Sequence, residues 1–172
     1  MNRHIILVGL PGSGKTAVGR LLLKLPTADF TDFTDIDELV ERAAGCSITE
    51  IFALGGEAEF RRLEREAMDR ALERPAHLIA AGAGWIAQPG NLAAARAGNA
   101  LTVYLRVTPE VASARLGTDQ SRPLLAGDRL TRLKAILAER ESWYAQADAK
   151  IDASGPPDQV VALLRAAIRR AS

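Results

Sequence analysis

Only one cysteine, Cys46, stands among the 172 residues, so no disulfide can close within the chain. A reducing compartment is therefore expected, and zinc sites built from several cysteines are excluded. Charge of one sign is also missing. The 22 basic and 21 acidic residues leave a formal net charge of +1 and no general field to draw in nucleic acid or an anionic membrane. The two histidines, His4 and His77, lie at expected strand starts without a partner histidine at ligand spacing, and neither reads as a metal ligand. Long apolar runs are absent too. The first run, Ile5 to Val8, is too short for a secretory core or a membrane span. There is no solenoid-length repeat and no low-complexity tract, and the one Pro/Gly-rich joint, Ser154 to Pro157, is too brief for a domain linker. With 48% hydrophobic and 25% charged residues, residues 1–172 read as one domain. The expected setting is a cytoplasmic monomer with no nucleic-acid or membrane partner.

What is present is alternation. Short stretches rich in Ile, Leu and Val interrupt segments of helical period, the pattern of βα units on a mostly parallel sheet. Strands are expected at Arg3 to Val8, weakly at Phe30 to Thr34, at His77 to Ala81, at Leu101 to Val107 and at Lys150 to Ala153. Ser47 and Glu50 have the spacing of a capping box, with Cys46 and Ile51 at the two staple positions, so Cys46 reads as a small packing residue. Thr108-Pro109 reads as a helix start, and Gly45 and Gly117 as helix ends. A helix is expected from Arg129 to Ala147, with Leu130, Leu133 and Leu137 inward. On the last helix Val160, Val161, Leu163, Leu164 and Ile168 form the apolar stripe.

Gly9-Leu10-Pro11-Gly12-Ser13-Gly14-Lys15-Thr16 matches G-x-x-x-x-G-K-[ST] in full, between an expected strand and an expected helix. In such a P-loop, backbone amides turn inward around phosphate, the helix offers its positive end, the lysine reaches the β- and γ-phosphates and the hydroxyl ligates magnesium. A nucleotide triphosphate with Mg²⁺ is the expected ligand. No Asn-Lys-x-Asp guanine reader accompanies the loop, and the chain has little room for motor or transporter domains. These observations leave a small-molecule kinase as the leading class. Asp35 and Asp37 follow the weak second strand, where a parallel sheet would set them beside the P-loop, although spacing alone equally allows an acidic turn with Asp32. Gly55 and Gly56 break one helix and put Arg61 one turn into the next. Arg122 stands in a Pro-bounded loop suited to a lid.

The order Gly9 to Thr16, Asp35-x-Asp37, Gly45-Cys-Ser-Ile-x-Glu-Ile-Phe52, Gly56-Glu57-x-x-Phe60-Arg61, Gly82-Ala83-Gly84, Arg122-Pro-Leu-Leu125 and Arg140-x-x-x-Tyr144 resembles the shikimate kinase family over nearly the whole chain. The resemblance implies an α/β three-layer P-loop kinase fold of the nucleoside monophosphate kinase type. It has a five-stranded parallel sheet, a substrate-binding helical insertion at about 36–65 and a lid at about 115–127. It further implies phosphorylation of the 3-hydroxyl of shikimate by ATP, in the biosynthesis of aromatic amino acids. On this pattern Gly12, Ser13, Gly14, Lys15, Thr16 and Ala17 hold the nucleotide phosphates, and Thr16 and Asp35 the Mg²⁺. Asp37 binds the acceptor hydroxyl as base or orienter. Arg61 and Arg140 grip the substrate carboxylate, and Gly82, Ala83 and Gly84 approach its ring. Arg122 comes from the lid to the phosphates, while Arg115 and Pro156, within Ser154 to Pro157, flank the adenine. Lys15, Asp37 and Arg122 form the catalytic set.

Two features depart from the family pattern. Gly82-Ala83-Gly84 stands where three consecutive glycines are usual, with Trp85 next where a small residue is common, which bears on φ and on space beside the substrate. The stretch from Pro26 to Phe33 is long and a poor strand, and would move Asp35 unless it is absorbed as surface loop. A kinase for a related cyclic polyol acid, or a ligand sensor on the same fold, are the alternatives.

Overall fold

The computed structural model describes residues 3–25, 30, 32–117 and 128–171. The apolar tetrapeptide Ile5–Val8 forms β1 and is fully buried, as a strand covered on both faces must be. Around it lie β2 (Phe33–Asp35), β3 (Leu78–Ala80), β4 (Leu101–Arg106) and β5 (Ala149–Asp152), giving a parallel sheet of order β2-β3-β1-β4-β5. Ile5 pairs with Leu78 on one side and Leu101 on the other, which makes β1 the centre of the core.

Helices α1 (Lys15–Leu23), α2 (Ile36–Ala44), α3 (Ile48–Leu72), α4 (Asn91–Ala97), α5 (Pro109–Leu116), α6 (Arg129–Tyr144) and α7 (Pro157–Arg170) flank the sheet. Among the contacts, α1 packs with α7, α2 with α3, and α5 with α6. The local signals for their ends hold. The Ser47 hydroxyl accepts from the Glu50 amide while Glu50 accepts from the Ser47 amide, and Ile51 is buried with Cys46 packed against the core. Thr108 caps α5 with Pro109 behind it, and Gly45 ends α2 at φ 69°. At Gly56 (φ 70°, ψ −172°) α3 kinks, and Phe60, Glu64, Ala67, Met68 and Ala71 beyond the kink are buried.

Three expectations need correction. The second strand begins at Phe33, three residues after its expected start, and runs through Asp35, one residue beyond its expected end, because its pairing with β3 aligns Phe33 with Leu78 and Asp35 with Ala80. His4 and His77, far apart in sequence, are neighbours. The β1–β3 register brings their rings edge to face at 5.0 Å, with the His77 amide donating to His4 Nδ1 at 3.4 Å. Leu163 is 45% exposed, because the buried stripe of α7 runs through Val160, Val161, Leu164 and Ile168.

Candidate active site

All the chemistry-bearing loops leave the sheet at one edge, the carboxyl ends of β1, β2 and β3, where open α/β sheets bind ligands. After β1 the chain enters the P-loop. Gly12 takes φ 78°, and a methyl there would lie 2.5 Å from the Ala112 carbonyl, so this turn admits no side chain. Lys15 Nζ donates to the carbonyls of Gly9 and Leu10, at 3.0 and 3.1 Å, which folds the ammonium back over the loop. The Ser13 hydroxyl is buried within the loop and has no hydrogen-bond partner among the described residues.

Asp35 ends β2 and caps α2, accepting from the Asp37 amide at 3.0 Å with one carboxylate oxygen. The other accepts from the Thr16 hydroxyl at 2.5 Å. The segment before β2 therefore leaves Asp35 beside the P-loop. Residues 26–29 and 31 of that segment lie outside the described residues. Thr16 and Asp35 offer two hard oxygens at the phosphate cradle. Among the described residues no cluster of three or more His, Cys, Asp or Glu could cage a metal ion. That donor set suits Mg²⁺, which keeps several waters and takes the rest of its shell from phosphate.

Two clefts meet here. One, of about 390 Å³, is lined by Gly12 through Val18, Asp35, Asp37, Ala80, Ala81, Arg115, Leu116, Gly155, Pro157 and Val160. Its far wall is tied to α5, since Arg115 donates to the carbonyls of Ser154 and Gly155 at 3.1 and 2.8 Å. Pro156 itself does not line this cleft, although Gly155 and Pro157 on either side do. The second cleft, of about 320 Å³, is lined by Asp35, Asp37, Phe52, Phe60, Arg61, Glu64, Gly82, Ala83, Gly84 and Arg140, among others. Thr16, Asp35 and Asp37 belong to both.

The second cleft contains a residue that sequence reasoning missed. Glu64 is 1% exposed and accepts from Arg61 at 2.7 Å, while its other oxygen is buried without a hydrogen-bond partner among the described residues. Burial pushes its pKa up against the pull of Arg61, and the Asp37 carboxylate adds to the rise. Glu57 accepts from the outer edge of the same guanidinium at 2.9 Å. Burial works against the charge of Arg61, but the Glu64 and Glu57 carboxylates outweigh it and raise its pKa. Its position three residues after Arg61, on the inward face that carries Phe60, Ala67 and Met68, was the available signal.

The wall opposite is Gly82-Ala83-Gly84. None of the three has positive φ, so Ala83 fits its backbone without strain. The glycines are there for room. A methyl at Gly82 would lie 2.0 Å from Glu64 Oε1, and one at Gly84 would lie 2.5 Å from the Arg61 guanidinium. Trp85 turns away into the core, 3% exposed, in a 3₁₀ turn over Trp85–Ala87. Arg140, 7% exposed, reaches the cleft from α6. Arg122, the remaining expected residue, lies outside the described residues, as does most of the expected lid.

A P-loop whose phosphate cleft opens through two aspartates onto a cleft with two arginines defines a small-molecule kinase. The shikimate kinase family model matches residues 11–169, and the chain belongs to that family. It is 42% identical over 163 residues to a shikimate kinase of Moorella thermoacetica, covering 94% of this chain and 91% of the relative. With a shikimate kinase of Caldanaerobacter subterraneus subsp. tengcongensis it shares 39% over 170 residues, 97% of each chain. Among solved structures, the shikimate kinase of Acinetobacter baumannii in complex with shikimate superposes with a TM-score of 0.82 at 31% identity, covering 95% of this chain and 93% of that one. The shikimate kinase of Aquifex aeolicus gives 0.82 at 33%, covering 96% of both.

Proposed function

We propose that this protein is an ATP-dependent shikimate kinase that transfers the γ-phosphoryl group to the 3-hydroxyl of shikimate in aromatic amino-acid biosynthesis. The observation that carries the reading is the junction of the two clefts at Thr16, Asp35 and Asp37. A nucleotide in one and a small hydroxylated acid in the other would meet at these carboxylates. Phosphoryl transfer needs little covalent help from protein, so positioning and charge carry most of the rate.

The geometry of the described residues supports a division of roles, to which the family pattern adds Arg122. The P-loop amides with Lys15 hold the β- and γ-phosphates, and the buried Ser13 hydroxyl gains a partner there. Thr16 and Asp35 hold Mg²⁺, which when bound neutralises charge on the transferring group. Asp37 orients the acceptor hydroxyl and takes its proton. Arg140 and Arg61 bind the carboxylate, with Glu64 fixing the direction of Arg61 and offsetting its buried charge. Arg115 and the turn around Gly155 flank the adenine, and Arg122 supplies further charge from the lid. A related cyclic acid was suggested by Ala83 and Trp85, and both lose that force. Ala83 is unstrained, and Trp85 is in the core. One chain lines both clefts, so a monomer suffices, and among the described residues no helix is long and apolar enough to cross a membrane. A cytoplasmic setting agrees with the lone thiol. Coupled measurement of ADP release against a panel of cyclic hydroxy acids tests the reading: shikimate should be the preferred acceptor, and inertness toward it would overturn the assignment.

A further inference from the structure

Tyr144, the last residue of α6, is fully buried, and its hydroxyl donates to the Ala83 carbonyl at 2.6 Å. Its ring stacks on Tyr104 of β4, with centroids 4.9 Å apart and planes 17° apart. The Tyr104 hydroxyl donates elsewhere, to Glu141 at 3.1 Å. Arg140 stands one turn before Tyr144, and its guanidinium interacts with the Tyr144 hydroxyl. Burial raises the pKa of Tyr144, despite Arg140, so the hydroxyl remains a proton donor at any working pH.

The Gly82 and Gly84 carbonyls accept from the Trp85 and Ala87 amides at 3.1 and 3.2 Å, while the Ala83 carbonyl between them accepts from Tyr144. Gly82 and Gly84 carry no side chain, and the amides of Gly82, Ala83 and Gly84 donate to no protein group among the described residues. Within one planar peptide the C=O and the following N–H point in opposite directions. A hydroxyl on α6 that holds the Ala83 carbonyl therefore also fixes the direction of the Gly84 amide, in a segment that lines the cleft. The same helix sends Arg140 into that cleft. One tyrosine thus couples the backbone wall to the arginine facing it.

We propose that Tyr144 is a positioning residue for the acceptor, setting the Ala83–Gly84 peptide so that its amide meets the substrate ring while the carboxylate rests on Arg140. The proposal rests on the shikimate kinase reading and extends it to a residue outside the transfer chemistry. Its test compares Tyr144→Phe with Tyr104→Phe. Both keep the stacked rings, and only the first frees the Ala83 carbonyl. Tyr144→Phe should raise the KM for shikimate about tenfold, the order expected when a buried carbonyl loses its donor, with kcat changed less than about threefold and the KM for ATP unchanged. Tyr104→Phe should leave both KM values at wild type even if its melting temperature falls equally. An unchanged shikimate KM in Tyr144→Phe, or the same rise in Tyr104→Phe, overturns the proposal while leaving the enzyme assignment standing. A wild-type protein inert toward shikimate overturns both. Nuclear magnetic resonance of the wild type gives a second measure that needs no variant. The Gly84 amide signal should shift on saturation with shikimate, and a stationary signal refutes the inference.

Discussion

Gly82→Ala is the sharpest test of how the acid cleft is built. The added methyl would lie 2.0 Å from Glu64 Oε1 and 3.4 Å from Asp37 Oδ1. To reach ordinary contact distance the carboxylate must retreat by about 1.5 Å. It has nowhere cheap to go, because Glu64 is 1% exposed and its other oxygen is held by Arg61 at 2.7 Å. Either the wall moves, at an overpacking cost of about 1–3 kcal/mol, or the buried pair breaks, at about 3–5 kcal/mol. Both outcomes shift the Arg61 guanidinium, and a displacement of about 1 Å at a positioning group is worth roughly 10²-fold in rate. The variant should therefore lose about a hundredfold in kcat/KM for shikimate. Affinity for ATP should survive, because Gly82 does not line the cleft at the P-loop. Steady-state kinetics with each substrate varied in turn, beside calorimetric titration of an ATP analogue, reads both numbers. Ala83→Gly is the matched control, expected to change turnover less than about tenfold, since Ala83 already has an ordinary φ. Near-wild-type kcat/KM in Gly82→Ala would refute the argument that these glycines serve close approach.

The other predictions address charge. Lys15→Ala should abolish turnover with little change in melting temperature, because the ammonium bonds the loop carbonyls of Gly9 and Leu10 and belongs to no buried core cluster; a turnover above about one tenth of wild type would contradict its role. Asp35→Asn keeps the helix cap but removes charge beside Thr16, so it should raise the Mg²⁺ concentration needed for half-maximal rate. Asp37→Asn should lower kcat without that shift, and identical metal titrations would refute the division of roles. His4 has its pKa lowered, chiefly by burial and secondarily by His77, while backbone bonds to Leu72 and His77 oppose the shift. The folded state then binds fewer protons than the unfolded one, so stability should fall as pH drops below about 6.5. The groups around the pair are the Thr34 hydroxyl on His77 at 3.0 Å, the Pro75 carbonyl at 2.8 Å, and Arg74, which bonds Thr34 and pairs with Asp32. Melting curves from pH 7 to 5 should show a smaller acid loss in His4→Gln, and parallel curves would count against the pair.

The elements with strong local signals were legible. The P-loop, the capping box at Ser47, the Thr108-Pro109 start and the break at Gly55-Gly56 each need only a few neighbouring residues to specify their backbone. The buried strands declared themselves as apolar runs, which is why β1 and β4 fall within two residues of expectation. The edge strand β2 did not, since three residues with one buried side chain carry almost no pattern, and its register comes from β3. Leu163 was misread for a related cause. Five apolar positions on one helix exceed the stripe that its packing partners cover.

Residue types and order in this sequence determined the phosphate cradle, the aspartate pair and the family, because those depend on local backbone geometry and on side chains that chemistry requires. Only the tertiary structure decided which groups touch across the fold. Glu64 meets Gly82, Tyr144 meets Ala83 and His4 meets His77 over separations of 18, 61 and 73 residues. Such contacts are set by sheet register, by the Gly56 kink and by the packing of α6 against the 3₁₀ turn at Trp85–Ala87. Each of those is a balance of packing over the whole core, and no window of sequence contains it.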